Sequence, residues 1–325
     1  MIDPLERWRE IGLDDKPDYA GLLTYSALPF THDPADLTGV DVAIVGAPMD
    51  DLTSDRPGTR FGPRAIRAAS CPPGPHLEAK IDAMEELRVI DFGDAAVLPS
   101  DPVRSHAAIE RTVGQVVSAG AIPIILGGDH SITEPNVKAV VAAHGPVALV
   151  HFDTHTDTGE EVFGVEISHG TLMYRLVRDG HVDGSHYVQI GLRGYWPGEK
   201  EFAWQAGHGI TSFFMHDVRD QGIRAIVEQT IAIVGDTPTF LTVDIDVLDP
   251  AFAPGTGTPE PGGMTSADLL WACRHLATGL QLVGMDVVEI LPTGVASADI
   301  TALVAERVVR ETLTGIAVRR SRGPQ

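Results

Sequence analysis

Short runs of aliphatic and β-branched residues alternate along the chain with stretches whose apolar positions recur every three or four residues. The runs at 41–46, 88–92, 122–126, 147–152, 187–191, 210–214, 239–245 and 281–288 predict strands. The amphipathic stretches at 103–119, 134–143, 169–179, 219–234, 266–277 and 299–315 predict helices. Strands that are apolar on both faces, separated by helices, imply a mostly parallel sheet covered on each side. Residues 1 to about 39 carry Pro, Asp and Tyr with little periodicity and are read as an arm over the body or a neighbouring subunit. Without a sequence repeat or a Gly/Ser-rich linker, the reading is one domain over 1–325.

Two stretches are read structurally. The loop 55–64 is crowded with turn residues and runs into a helix start at Pro63. Its arginines are expected to pair with carboxylates within the fold or across a subunit contact. The tail Arg319-Arg320-Ser321-Arg322 is read as a solvated end.

The chain has 325 residues, 43% of them apolar, and a formal net charge of −21. That charge argues against nucleic acid and anionic membrane surfaces as partners. No apolar run approaches the roughly 20 residues a spanning helix needs. Cys71 and Cys273 are too few and too far apart for a disulfide framework. With no signal-peptide pattern at the start, the expected location is cytoplasmic.

The chemistry is concentrated where apolar runs end. The run 147–152 leads into Asp153-Thr154-His155-Thr156-Asp157. If the chain stays extended there, Asp153, His155 and Asp157 share one face. The run 122–126 leads into Gly127-Gly128-Asp129-His130, with glycines that permit a sharp turn. The run 239–245 leads into Asp244-Ile245-Asp246, and the last run ends on Asp286-Val287-Val288-Glu289. Ligands of open α/β sheets bind beyond the carboxyl ends of the strands, so all four groups should converge.

Asp153, Asp157, Asp244 and Asp246 bring four carboxylates, and His130 and His155 two imidazoles. Packed together, they require something cationic between them. Two divalent ions about 3.5–4 Å apart, bridged by carboxylates, would use all six. Oxygen donors with imidazole suit manganese, with nickel, cobalt, iron or zinc as alternatives. Four carboxylates, two divalent ions and a hydroxide leave a charge of about −1, which favours a cationic substrate.

The stretches GGDHS at 127–131, HFDTHTD at 151–157, SHGT at 168–171, QIGLRG at 189–194, VDIDVLDPAFAPGTGTPEPGG at 243–263 and DVVE at 286–289 resemble the ureohydrolase family of arginases and agmatinases. The resemblance covers roughly residues 40–315 and is strongest to the agmatinase-like branch, which includes guanidinobutyrase, guanidinopropionase and proclavaminate amidinohydrolase. It implies a three-layer α/β/α fold with an eight-stranded parallel sheet, two manganese ions or occasionally nickel, release of urea, and a homo-oligomer, trimer or hexamer. Carried over, one ion takes His130, Asp153, Asp157 and Asp244. The other takes His155, Asp153, Asp244 and Asp246. His169 matches the proton-shuttle histidine, Glu289 the guanidinium-binding carboxylate, and Asp157 steadies the attacking hydroxide. Thr154 departs from the alanine usual in the family; its side chain is expected to face away from the ligands.

The substrate expected first is agmatine, a small cationic guanidino compound cut to putrescine and urea. Glu160, Glu161 or Glu166 could receive its ammonium. Arg193 or Arg219 could instead receive the carboxylate of a guanidino acid, and Tyr195 and Trp196 could line an apolar pocket for an alkylated guanidine. Rival readings are a binuclear hydrolase of phosphate esters or other C–N bonds, and a silent metal-binding paralogue of an active subunit.

Overall fold

The structure is a computed structural model that describes residues 20–71, 74–195, 197–292 and 299–323. Residues 1–19 of the expected arm, and Trp196, lie outside the described residues. The eight strands are β1 (Val42–Ala47), β2 (Val89–Asp94), β3 (Ile122–Gly127), β4 (Val147–Phe152), β5 (Val182–Leu192), β6 (Thr211–Phe214), β7 (Thr239–Asp244) and β8 (Leu282–Val288). They form one parallel sheet in the order β2-β1-β3-β8-β7-β4-β5-β6. Strands β1, β3, β4, β7 and β8 are buried throughout apart from Ile122, so their β-branched runs meet helices on both faces.

The expected strands are all present, with β5 longer than its apolar core. It begins at Val182 rather than 187, through Asp183-Gly184-Ser185, which carry no strand signal. Of the expected helices, 219–234 is divided in two, Met215–Gln221 and Ile223–Val234. Gly222 sits between them at φ 81°, ψ 148° and breaks the helical path. A helix at Glu199–Gly207 is additional to those expected; it buries little, so its sequence carries no clear apolar stripe. The last helix runs Ile300–Ser321, six residues past the expected end. Its tail is tied down rather than free: Arg319 Nη1 donates to the Gly279 carbonyl at 3.0 Å and Arg320 pairs with Asp41.

Residues 20–39 lie against the body. Tyr25 is fully buried, and its backbone N–H donates to Asp91 Oδ2 at 2.8 Å. Of the loop arginines, Arg60 binds Asp50 and Asp51 and Arg56 pairs with its neighbour Asp55; Arg67, in the helix that follows, binds Asp91 and Asp94.

The order of strands decides where a ligand fits. The chain passes from β3 to β4 and leaves a gap that β8 and β7 later fill. The carboxyl ends of β3, β8, β7 and β4 are therefore consecutive, and the loops that leave them face one crevice.

Candidate metal centre

Each of these four strands delivers part of the site. Beyond β3 the chain turns through Gly127 and Gly128 with no space for side chains. A Cβ on Gly128 would lie 1.9 Å from the Met49 carbonyl oxygen, and one on Gly127 2.8 Å from that of Val287. Asp129 then caps the short turn His130–Ile132, accepting from the Ser131 N–H at 3.0 Å. This aims the His130 ring inward.

His130 is fully buried, and its Nδ1 lies 2.9 Å from Asp157 Oδ2, 3.2 Å from Asp153 Oδ2 and 3.3 Å from Asp244 Oδ2. Yet that nitrogen makes no hydrogen bond. Its Nε2 is 2.9 Å from Thr242 Oγ1. A ring nitrogen surrounded by three carboxylate oxygens and bonded to none is an arrangement that a cation completes. On the other side of Asp153, His155 Nδ1 lies 3.4 Å from Asp153 Oδ1 and 3.1 Å from Asp246 Oδ2. Asp153 thus turns one oxygen toward each histidine. Among the described residues, two groups have donor geometry for a metal ion: His130, His151, Asp153 and Asp157, and Asp153, His155 and Asp246. This His/Asp cluster can bind metal ions.

The residues gather by a different route from the shared strand face expected. Strand β4 ends at Phe152, so Asp153, His155 and Asp157 ride a turning loop. Asp244 closes β7 and caps the turn Ile245–Val247, accepting from the Asp246 N–H at 2.9 Å. Asp157 and Glu289 hold left-handed backbone, φ 50° and 62°, which costs a non-glycine residue on the order of 1 kcal/mol. The loop geometry that aims their carboxylates outweighs that strain.

The cluster carries surplus negative charge. Burial raises the pKa of Asp244, and the charges of Asp246 and Asp153 raise it further. Burial also raises that of Asp246, with Asp153 adding to it. Burial likewise works against the Asp153 charge, but His151 and His130 hold it well below the usual range. Burial opposes charge on His130 and His155, yet their carboxylate neighbours push both upward. For Asp244, Asp246, His130 and His155 the neighbourhood asks for more positive charge, whereas the histidines around Asp153 already favour its charged form.

Glu289 and His169 stand beside this cluster. Glu289 Oε1 accepts from the His130 N–H and faces His169 Nδ1, each at 2.9 Å. Its Oε2 is buried and unpartnered. Burial opposes the His169 charge, but the Glu289 carboxylate, helped by Asp157 and Asp129, lifts its pKa to about 9. Ser54 faces His169 Nε2 through its hydroxyl at 2.7 Å and its backbone N–H at 3.1 Å. That N–H favours a bare nitrogen, and the carboxylate outweighs it.

A pocket of about 360 Å³ opens over these groups, lined by His155, Asp157, His169 and Asp244, and at its outer part by Glu161, Val162 and Phe163. Glu160 is committed to Lys200 at 2.9 Å, whereas Glu161 has no ion-pair partner among the described residues. Arg193 is unavailable to a substrate carboxylate. Its guanidinium donates to the carbonyls of Asp246 at 2.8 Å and Val247 at 3.1 Å, and also to Gly191, Leu248, Glu260 and Pro261. No lysine or arginine is among the described lining residues.

The Arginase family profile matches residues 40–315. The chain belongs to the arginase family. Among its relatives, it is 41% identical to a guanidinopropionase of Pseudomonas aeruginosa, over 93% of each chain. It is 40% identical to an agmatinase of Citrobacter koseri, over 88% of this chain and 90% of the relative. Its fold matches the proclavaminate amidinohydrolase of Streptomyces clavuligerus with a TM-score of 0.88 at 35% identity, covering 94% of this chain and all of the other. As an arginase-family member it is a ureohydrolase, a hydrolase of carbon–nitrogen bonds. The eight-stranded α/β/α architecture expected from the resemblance is the one observed.

Sequence reasoning missed several residues of this arginase-family site. Ser54 sits in a loop remote in sequence. Thr258 donates to Asp246 Oδ2 at 3.3 Å from another. His151, two positions before Asp153 and within β4, is a third such residue, and its signal is the lone polar position in an apolar strand.

Proposed function

We propose that this chain is a binuclear-metal amidinohydrolase that cuts a guanidino compound into urea and an amine, with agmatine as its preferred substrate. One observation carries the reading: the unbonded His130 Nδ1, 2.9–3.3 Å from three carboxylate oxygens, beside a buried and unpartnered Glu289 Oε2. His130, Asp153, Asp157 and Asp244 would hold one ion. His155, Asp153, Asp244 and Asp246 would hold the other, with Asp153 and Asp244 shared. Manganese suits this oxygen-rich donor set best. Two such ions supply hydroxide near neutral pH by lowering the pKa of water.

The protein's own groups do the rest. A guanidinium arrives charged and flat, and Glu289 Oε2 accepts its N–H groups and fixes its plane. Asp157, at the inner wall of the pocket, accepts a hydrogen bond from the nucleophile and holds the tetrahedral carbon's new hydroxyl. His169 is protonated at neutral pH and gives that proton to the departing amine. Glu161 receives the distal ammonium of agmatine, while Val162 and Phe163 pack on its methylenes. The absence of lysine and arginine from the described lining disfavours a carboxylate tail.

The test is urea release after loading with manganese or nickel, across agmatine, guanidinobutyrate, guanidinopropionate, arginine, guanidine and alkylated guanidines. Agmatine should give the highest kcat/KM. A higher value for either guanidino acid overturns the substrate assignment, and no urea from any compound overturns the reaction.

A further inference from the structure

A polar row crosses the sheet at the level just below the metal cluster. Asp286 on β8 is in register with Thr242 on β7, Thr242 with His151 on β4, His151 with Gln189 on β5, and Gln189 with Ser212 on β6. Register partners in a parallel sheet share a face. Asp286, Thr242, His151 and Gln189 are all fully buried. Apolar side chains at this level would avoid the desolvation cost of polar ones, about 1–3 kcal/mol per unsatisfied group.

Within that row, hydrogen bonds run in one direction. Gln189 Nε2 donates to Tyr187 OH at 3.0 Å and to the Thr156 carbonyl at 2.8 Å. The Thr156 carbonyl can only accept, which fixes the orientation of the amide, and leaves Oε1 to accept from Ser212 Oγ at 2.9 Å. With its oxygen already accepting, the Tyr187 hydroxyl donates to His151 Nδ1 at 2.9 Å. His151 Nε2–H then donates to Asp153 Oδ2 at 2.7 Å. Both ring nitrogens of His151 are occupied, so it has no lone pair for a metal ion although it lies within reach of one. The same Gln189 amide grips the loop between His155 and Asp157.

The geometry points to His151, Tyr187 and Gln189 as a positioning relay that sets the rotamer of Asp153 and pins the loop carrying His155 and Asp157, with His151 excluded from the metal ligands. This inference rests on the metal-centre reading above. It accounts for why Asp153 can turn one oxygen to each histidine: its Oδ2 is anchored from behind by a donor of fixed tautomer.

The test is manganese binding by titration calorimetry and elemental analysis on the full chain. The variants are Tyr187→Phe, His151→Gln and His151→Asn. Partners of this kind typically change metal affinity about 10- to 100-fold. Tyr187→Phe should therefore bind manganese about 10- to 100-fold more weakly at unchanged stoichiometry. His151→Gln, whose amide reaches as far as Nε2, should retain more affinity than His151→Asn, whose shorter amide does not. That comparison stands even if Tyr187→Phe fails to fold. Wild-type affinity in Tyr187→Phe, or equal affinity in the two His151 variants, overturns the relay alone. Loss of one ion per chain in His151→Gln also overturns it, by making His151 a ligand. A wild-type chain that binds no divalent ion overturns the metal centre and the relay with it.

Discussion

Replacing Glu289 with Gln separates orientation of the substrate from assembly of the metal cluster. The change is nearly isosteric and removes only the charge. Glu289 is buried, with Oε1 already engaged by His130 and His169 and Oε2 free. A hydrogen bond to a charged group is worth about 1.5–3 kcal/mol. Losing the charge opposite a guanidinium should lower kcat/KM about 10- to 150-fold. A second effect follows at His169. Its pKa of about 9 depends on the Glu289 carboxylate overcoming burial. Without that charge the ring returns to its ordinary value near 6.5 or below. The acid form is the proton donor, so activity is lost as pH rises through the His169 pKa. At pH 8 the protonated fraction falls from about nine-tenths to about one-thirtieth. The alkaline limb of the pH–rate profile should move about 2.5 units toward acid. Glu289 belongs to neither metal-binding group, so manganese content should not change. Urea release measured from pH 6 to 10, with metal analysis of each sample, reads all three effects. A variant within threefold of wild type, or one whose alkaline limb stays in place, refutes both roles given to Glu289.

Other perturbations test neighbouring parts of the argument. Glu161→Gln should raise the KM for agmatine about 2- to 5-fold, the scale of an exposed ion pair, without raising that for guanidinobutyrate; parallel Michaelis curves decide it. Arg193→Ala strips a guanidinium from six carbonyls and should cost about 3 kcal/mol or more in chemical denaturation; a large shift in substrate preference without that loss would contradict its structural role. Gly128→Ala forces a methyl against the Met49 carbonyl and should reduce both folding yield and metal content, read by thermal unfolding and elemental analysis. Burial pushes His106 down to about 4, with Nε2 3.0 Å from Ser131 Oγ. The unfolded chain therefore takes up that proton first, so stability falls as pH drops from 6.5 to 4, by about 3 kcal/mol. His106→Gln should flatten that part of the acid limb in denaturant midpoints compared with wild type.

Much of this was legible because both fold and site leave local marks. Apolar runs bounded by turns located every strand, and ligand-type residues at their ends located the site. What escaped was either weakly patterned or non-local. The first residues of β5 look like a turn, and the helix Glu199–Gly207 buries too little to show a stripe. Gly222 breaks what periodicity reads as one helix. The capture of Arg193 by carbonyls 53–68 residues away has no local signal. Nor does the partnership of Ser54 with His169, or of Glu160 with Lys200. The polar row illustrates the limit best. Asp286 and His151 each stand alone within an apolar strand, and the alignment of the row exists only once the order and register of five strands are known.

The strand order also dictates when this enzyme can come into being. The first half of the polypeptide carries His130, Asp153, His155 and Asp157, yet β3 and β4 are not neighbours. Between them stand β8 and β7, the last strands to leave the ribosome. A nascent chain therefore holds four of the six donors with nowhere to converge, and insertion of the carboxy-terminal third brings Asp244 and Asp246 and completes the cluster. The cluster is thus a product of the finished sheet, since β3 and β4 are joined only when the two last strands slot between them.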